Sequence, residues 1–75
     1  MQITISNRLH SLCLDVVSIT IGNMVDLLFD NVSASYFAFQ KIKAMGIDCC
    51  YGDEDSPTGT IVRCNNLNNH NIKVD

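Results

Sequence analysis

The sequence predicts a small α+β domain, in which an antiparallel sheet of four to six short strands carries one principal helix, about residues 33–45, on one face. Three features predict it. The turn-forming pair Gly22-Asn23 separates the β-prone runs Ser18-Ile19-Thr20-Ile21 and Met24-Val25-Asp26-Leu27-Leu28-Phe29. From Ser33 to Met45 the chain has neither Gly nor Pro, and Gly46 follows. A polar segment from Gly52 to Gly59 divides a second pair of β-rich runs.

Taken in order, residues 7–17 are the ambiguous stretch. Leu9, Leu12, Cys13, Val16 and Val17 recur at helical spacing, but Val16, Val17 and Ile19 are β-branched and run straight into the hairpin, which favours strand from about residue 12. A two-residue turn at Gly22-Asn23 sets Ile21 opposite Met24, Ile19 opposite Asp26 and Val17 opposite Leu28, because both turn residues tolerate positive φ. Thr20 with Val25, Ser18 with Leu27, and Val16 with Phe29 then fall on the other face. In the helix, Asp30, Asn31 and Ser33 offer capping oxygens and Gly46 suits a left-handed C-terminal position. Ala34, Ala38, Ile42 and Met45 form its packing stripe, flanked by Phe37 and Phe39, with Tyr36, Gln40 and Lys43 opposite. Residues 47–51 and 60–64 read as the second hairpin. The Asn-rich stretch 65–71 reads as irregular, and Ile72-Lys73-Val74 as a short edge strand. No repeat or linker interrupts residues 1–75, which read as a single domain.

Composition is that of a folded chain, 47% apolar and 17% charged. A chain this short buries only about 60% of its unfolded surface, so its stability is thin. No basic segment followed by an apolar run opens the chain, and no stretch approaches the roughly 18 apolar residues of a membrane span. These features predict a cytoplasmic protein without membrane association, whose Cys13, Cys49, Cys50 and Cys64 stay reduced. The net charge of −3 and the scatter of Arg8, Lys41, Lys43, Arg63 and Lys73 disfavour direct nucleic-acid binding, which draws on clustered cations.

With apolar side chains on both faces of the first hairpin, one face is expected to lack a cover from its own chain. Each such side chain left in water forgoes roughly 1.5–3 kcal/mol, against a total stability of about 5 kcal/mol. Val16, Leu27 and Phe29 are therefore the candidate residues of a self-association face, and a homo-oligomer is expected. A helix over residues 7–17 would instead close that face and leave a monomer.

No motif supplies a catalytic site, a metal or a cofactor. Adjacent Cys49 and Cys50 on a strand point to opposite faces, unlike the Cys-x2-Cys arrangements that converge on zinc, and reduced cysteines ordinarily serve as small buried apolar groups. Thiol catalysis needs a base, a cation or a helix N-terminus beside the sulfur, whereas the one clear helix start carries Ser33 and Ser35. His10 and His70 fall in segments expected to be polar and exposed. Asp53, Glu54 and Asp55 form the densest charge in the chain: a solvating loop tip, or a docking point for Arg and Lys of a partner. The spacing lacks the Gly and bidentate Glu of a calcium loop. Tyr36, Gln40 and Lys43 form the second candidate partner-binding surface.

The reading is a non-catalytic interaction protein that binds a larger macromolecular partner, a protein or protein complex, with inhibition of that partner as one outcome of binding. The alternative is an oligomeric protein holding a small ligand or nucleotide between subunits. No family motif is matched. In kind, though in no alignable residue, the chain resembles the short, acidic, single-domain accessory proteins of phages and mobile elements, including inhibitors of bacterial defence such as anti-CRISPR proteins.

Overall fold

The computed structural model describes residues 1–51, 60–65, 67 and 70–75. Among them are seven strands and one helix: β1 (Gln2–Ser6), β2 (Ser11–Asp15), β3 (Ser18–Ile21), β4 (Met24–Leu28), α1 (Val32–Ala44), β5 (Asp48–Tyr51), β6 (Ile61–Asn65) and β7 (Asn71–Val74). The strands form two antiparallel sheets, a three-stranded one ordered β2-β1-β7 and a four-stranded one ordered β3-β4-β6-β5. The α+β class and the single principal helix agree with the sequence, while the strands divide between two sheets. Strand β1, which the sequence reading leaves unassigned, is the centre of the smaller sheet and puts Ile3 and Ile5 into the core.

Residues 7–17 are not helical. The Asn7 carboxamide oxygen accepts from the backbone N–H groups of Leu9 (2.9 Å) and His10 (2.7 Å), an Asx turn that reverses the chain between β1 and β2. After β2 the chain changes sheets within two residues. Val16 N–H donates to Met1 in the smaller sheet (2.8 Å), and Val17 N–H donates to Leu28 in the larger one (2.7 Å). Such a corner lets two sheets enclose one core.

The first hairpin forms one residue out of the predicted register. Ile21 pairs with Val25, Ile19 with Leu27 and Ser18 with Leu28. The reason is the turn: Gly22 N–H donates to Met24 at 3.0 Å, so three residues make the reversal, with Asn23 at its tip. Because side chains alternate along a strand, this slip gathers Ile19, Ile21, Val25 and Leu27 on one face and sets Ser18, Thr20 and Asp26, with Met24 and Leu28, on the other. The apolar weight falls on the first face, where Val25 and Leu27 are buried, while the second mixes its two apolar residues with polar ones. Val16, Leu27 and Phe29 are 3%, 0% and 3% exposed, inside the chain's own core with Ile3, Ile42 and Val62. They are inaccessible to a second copy, which corrects their assignment to a self-association face. On the outer face, Arg63 of β6 grips its cross-strand partner Asp26 through two nitrogens, at 2.9 and 3.3 Å.

Helix α1 is bounded by caps legible in the sequence. Asn31 accepts from Ala34 N–H at 2.7 Å. At the other end Gly46 adopts φ +83°, its N–H donating to Lys43 (3.0 Å) while Ile47 N–H donates to Ile42 (3.4 Å), the paired bonds of a Schellman turn closed by two buried isoleucines. Ser35, Ala38 and Ile42 form the buried stripe. Ser35 is tolerated there because its hydroxyl donates to Val32 at 2.8 Å. Phe37, expected beside the stripe, is exposed. It sits about 130° round the helix from that stripe, too far to reach the core.

Candidate functional site

The exposed side of α1 is the most distinctive surface. Val32, Tyr36 and Phe37 are 50%, 48% and 57% exposed along the face that also carries Gln40, Lys41 and Lys43. Behind them the Tyr36 ring meets Tyr51 of β5 edge-on at 5.3 Å, and Phe39 lies 5.4 Å from Tyr51 and 6.4 Å from Tyr36. Rings in this tilted arrangement hold one another by edge-to-face attraction beyond their buried area. Two lysines cover further aromatic surface, Lys41 with its ammonium 5.3 Å from the Phe37 ring centre and Lys43 5.7 Å from that of Phe39. The surface is thus an aromatic patch stiffened from below by β5 and bordered by cations.

Of the residues picked out in the sequence, Tyr36, Gln40 and Lys43 are all exposed on this face. Asp53, Glu54 and Asp55 lie outside the described residues. They follow Tyr51, itself a member of the ring cluster, after a single residue. Val32, Phe37 and Tyr51 were missed. Phe37 was discoverable from its angle to Ala38 and Ile42, but Tyr51 comes to the patch only through the packing of α1 on β5.

The cysteines divide by strand alternation. Cys49 and Cys64 are buried, Cys13 and Cys50 exposed, and all four are free thiols. Burial pushes the Cys64 thiol up from 9.0 to about 12, with smaller upward contributions from Cys49 and Asp26. Burial raises Cys49 too, against a weaker downward pull from Lys43. Both are protonated at neutral pH and neither is an activated nucleophile. Among the described residues no three His, Cys, Asp or Glu side chains gather as a metal site.

His70 is partly buried, not the exposed residue expected. Its Nε2 lies 3.2 Å from the carboxamide nitrogen of Asn7. Since the Asn7 oxygen is committed to the Asx turn, the nitrogen donates, and Nε2 must accept. The neutral ring therefore carries its proton on Nδ1, which is buried without an acceptor among the described residues. His70 also edges a cleft of about 320 Å³ at the open end of the two sheets, walled by Ile21, Val25, Leu67 and Ile72.

No helix among the described residues is long and apolar enough to cross a membrane. No family model, curated protein or solved structure matches the chain.

Proposed function

We propose that this chain is a non-catalytic interaction protein that docks α1 into a groove on a larger protein and inhibits that protein by occupying it. The observation that carries the reading is the contrast between the two sides of one helix. The inner side is filled by Ser35, Ala38 and Ile42, whereas the outer side leaves Val32, Tyr36 and Phe37 half in water. Large apolar groups so exposed forgo burial energy in the free protein and regain it in a complex. Aromatic residues held rigid by neighbours lose little entropy on binding, which suits Tyr36 to the centre of such a contact.

The chemistry of the patch indicates its complement. An apolar groove would take Val32, Tyr36 and Phe37, and carboxylates on its rim would meet Lys41 and Lys43. A 13-residue helix is about 20 Å long. One face of a helix that long covers less than the roughly 800 Å² per partner of a typical stable interface, so further surface of the chain is expected to join the contact, with Asp53, Glu54 and Asp55 the acidic candidates by sequence. Kinship in kind with phage and mobile-element inhibitors accords with this reading.

The test compares the wild-type chain with Val32→Ser/Phe37→Ser in affinity capture from the source cell, after the two are matched for thermal stability. Recovery of one defined protein by the wild type and its loss from the variant is the expected result. Equal recovery overturns the reading. So does light scattering that finds a wild-type dimer and a monomeric variant, since the face would then join two copies.

A further inference from the structure

We infer that Cys49 and Cys64 form a modification site, a thiol pair set to close into a cross-strand disulfide on two-electron oxidation by a low-molecular-weight disulfide. The two residues are direct partners in the β5–β6 ladder. Which kind of partners follows from the neighbouring ladder. Phe29 N–H donates to Thr60 at 2.9 Å, continuing the register that pairs Leu27 with Val62 and Val25 with Cys64. Bonded pairs recur at every second residue of an antiparallel ladder, so residues 60, 62 and 64 turn their backbone groups toward β4. Cys64 therefore offers none to β5, and its pair with Cys49 is a non-hydrogen-bonded one. Residues so paired have Cα atoms about 4.5 Å apart with side chains drawn close. Disulfides span Cα separations of about 4.4–6.8 Å, so the bond asks little of the backbone.

Both sulfurs face the same interior. Cys49 is packed under α1, its thiol directed at the Phe39 carbonyl 3.9 Å away, and Cys64 is buried beside it. Cys49 is also one of the groups that raise the Cys64 thiol, as proximity requires. The exposed cysteines do not compete for the intramolecular bond. Cys50 points from the opposite face of β5, across from Arg63, and Cys13 lies in the other sheet across from Thr4.

Strand β5 is the edge of its sheet, so its opening uncovers Cys49 first. The Cys49 thiolate attacks one sulfur of glutathione disulfide, giving a mixed disulfide and releasing one glutathione thiol. The Cys64 thiolate then attacks the Cys49 sulfur and expels the second. The two protein thiols lose two protons and two electrons, and the small disulfide takes up both as it becomes two thiols. The bond ties edge strand β5, which ends in Tyr51, covalently to β6. The chain would thus report the redox state of its surroundings through how firmly β5 is held to its sheet.

The experiment incubates the full chain, and the Cys13→Ser/Cys50→Ser variant that retains only the inner pair, with glutathione disulfide at mildly alkaline pH. Intact mass should find the loss of two hydrogens in the double variant, and peptide mapping a Cys49–Cys64 cross-linked peptide in both proteins, whatever glutathione the exposed Cys13 and Cys50 of the full chain take up. The melting temperature should rise by roughly 10 °C and return on adding a dithiol reductant. Glutathione adducts that persist on Cys49 or Cys64 overturn the inference, as do inner thiols still free after the β5 amides have exchanged with solvent. A Cys13 or Cys50 cross-link in place of the inner one, or a fall in melting temperature, does the same.

Discussion

Strand β4 and the outer face of α1 are both rich in apolar residues, yet the fold treats them oppositely. Val25 and Leu27 disappear between the sheets, while Val32, Tyr36 and Phe37 remain in water. Composition is no guide to the difference, since Phe37 is as apolar as Leu27. A strand in the middle of a sheet, with β3 on one side and β6 on the other, is covered on its inner face by whatever packs on the sheet. A single helix on a sheet has one side to give, and the rest of its circumference stays outside. Ala34 and Phe39 still reach the core from the flanks of the Ser35, Ala38 and Ile42 arc, but Val32, Tyr36 and Phe37 lie beyond it and need a reason other than the core.

The comparison can be broken most sharply at its buried end. Leu27→Ala removes a side chain with no exposure from a chain of thin stability, and should cost about 2–5 kcal/mol, enough to leave much of it unfolded in a urea titration. A variant that stays folded with a loss below about 1 kcal/mol would mean that the core is not organised round β4. A second probe is alkaline pH. The folded chain holds the Cys64 proton more tightly than the unfolded one, so this contribution is fully present below pH 9.0 and is lost as pH rises toward about 12. The slope should approach about 1.4 kcal/mol per pH unit in that window, with Cys49 adding in the same direction. Cys64→Val should flatten the curve, and an unchanged profile would show that the thiol is not sequestered.

At the helix boundary the effect should be smaller. Asn31→Ala deprives Ala34 N–H of its acceptor and should cost about 1 kcal/mol, with Asn31→Asp recovering most of it. The smallest change in stability belongs to the outer face. Phe37→Ser should lie within about 0.5 kcal/mol of the wild type while weakening partner capture at least about tenfold. A large loss of stability there would mean that the face supports the fold and is not held in reserve for a partner.

Much of this was legible in the residues themselves. Asn31 and Gly46 marked the ends of α1, and Ala38 and Ile42 marked its inward side. Adjacent Cys49 and Cys50 announced opposite faces of a strand. Tyr36, Gln40 and Lys43 were recognisable as an outward face because helical angle depends on sequence position alone. The register of the first hairpin was not legible, since Gly22-Asn23 suits a two-residue turn as well as the three-residue turn that forms, and local propensity does not choose between them. Strand β1 was overlooked because a five-residue alternation of Ile3 and Ile5 becomes persuasive only when β2 and β7 are seen to flank it.

By itself, then, the sequence determined the α+β class, the principal helix and the opposed thiols, because each rests on local geometry or on composition. Only the tertiary structure decided that two sheets meet at Val16–Val17, that Val16, Leu27 and Phe29 are enclosed by their own chain, and that Tyr51 and Cys64 find their partners. Those outcomes depend on which distant segments come together. That is settled by the competition among all the ways of covering apolar surface at once, a quantity no single stretch of residues contains.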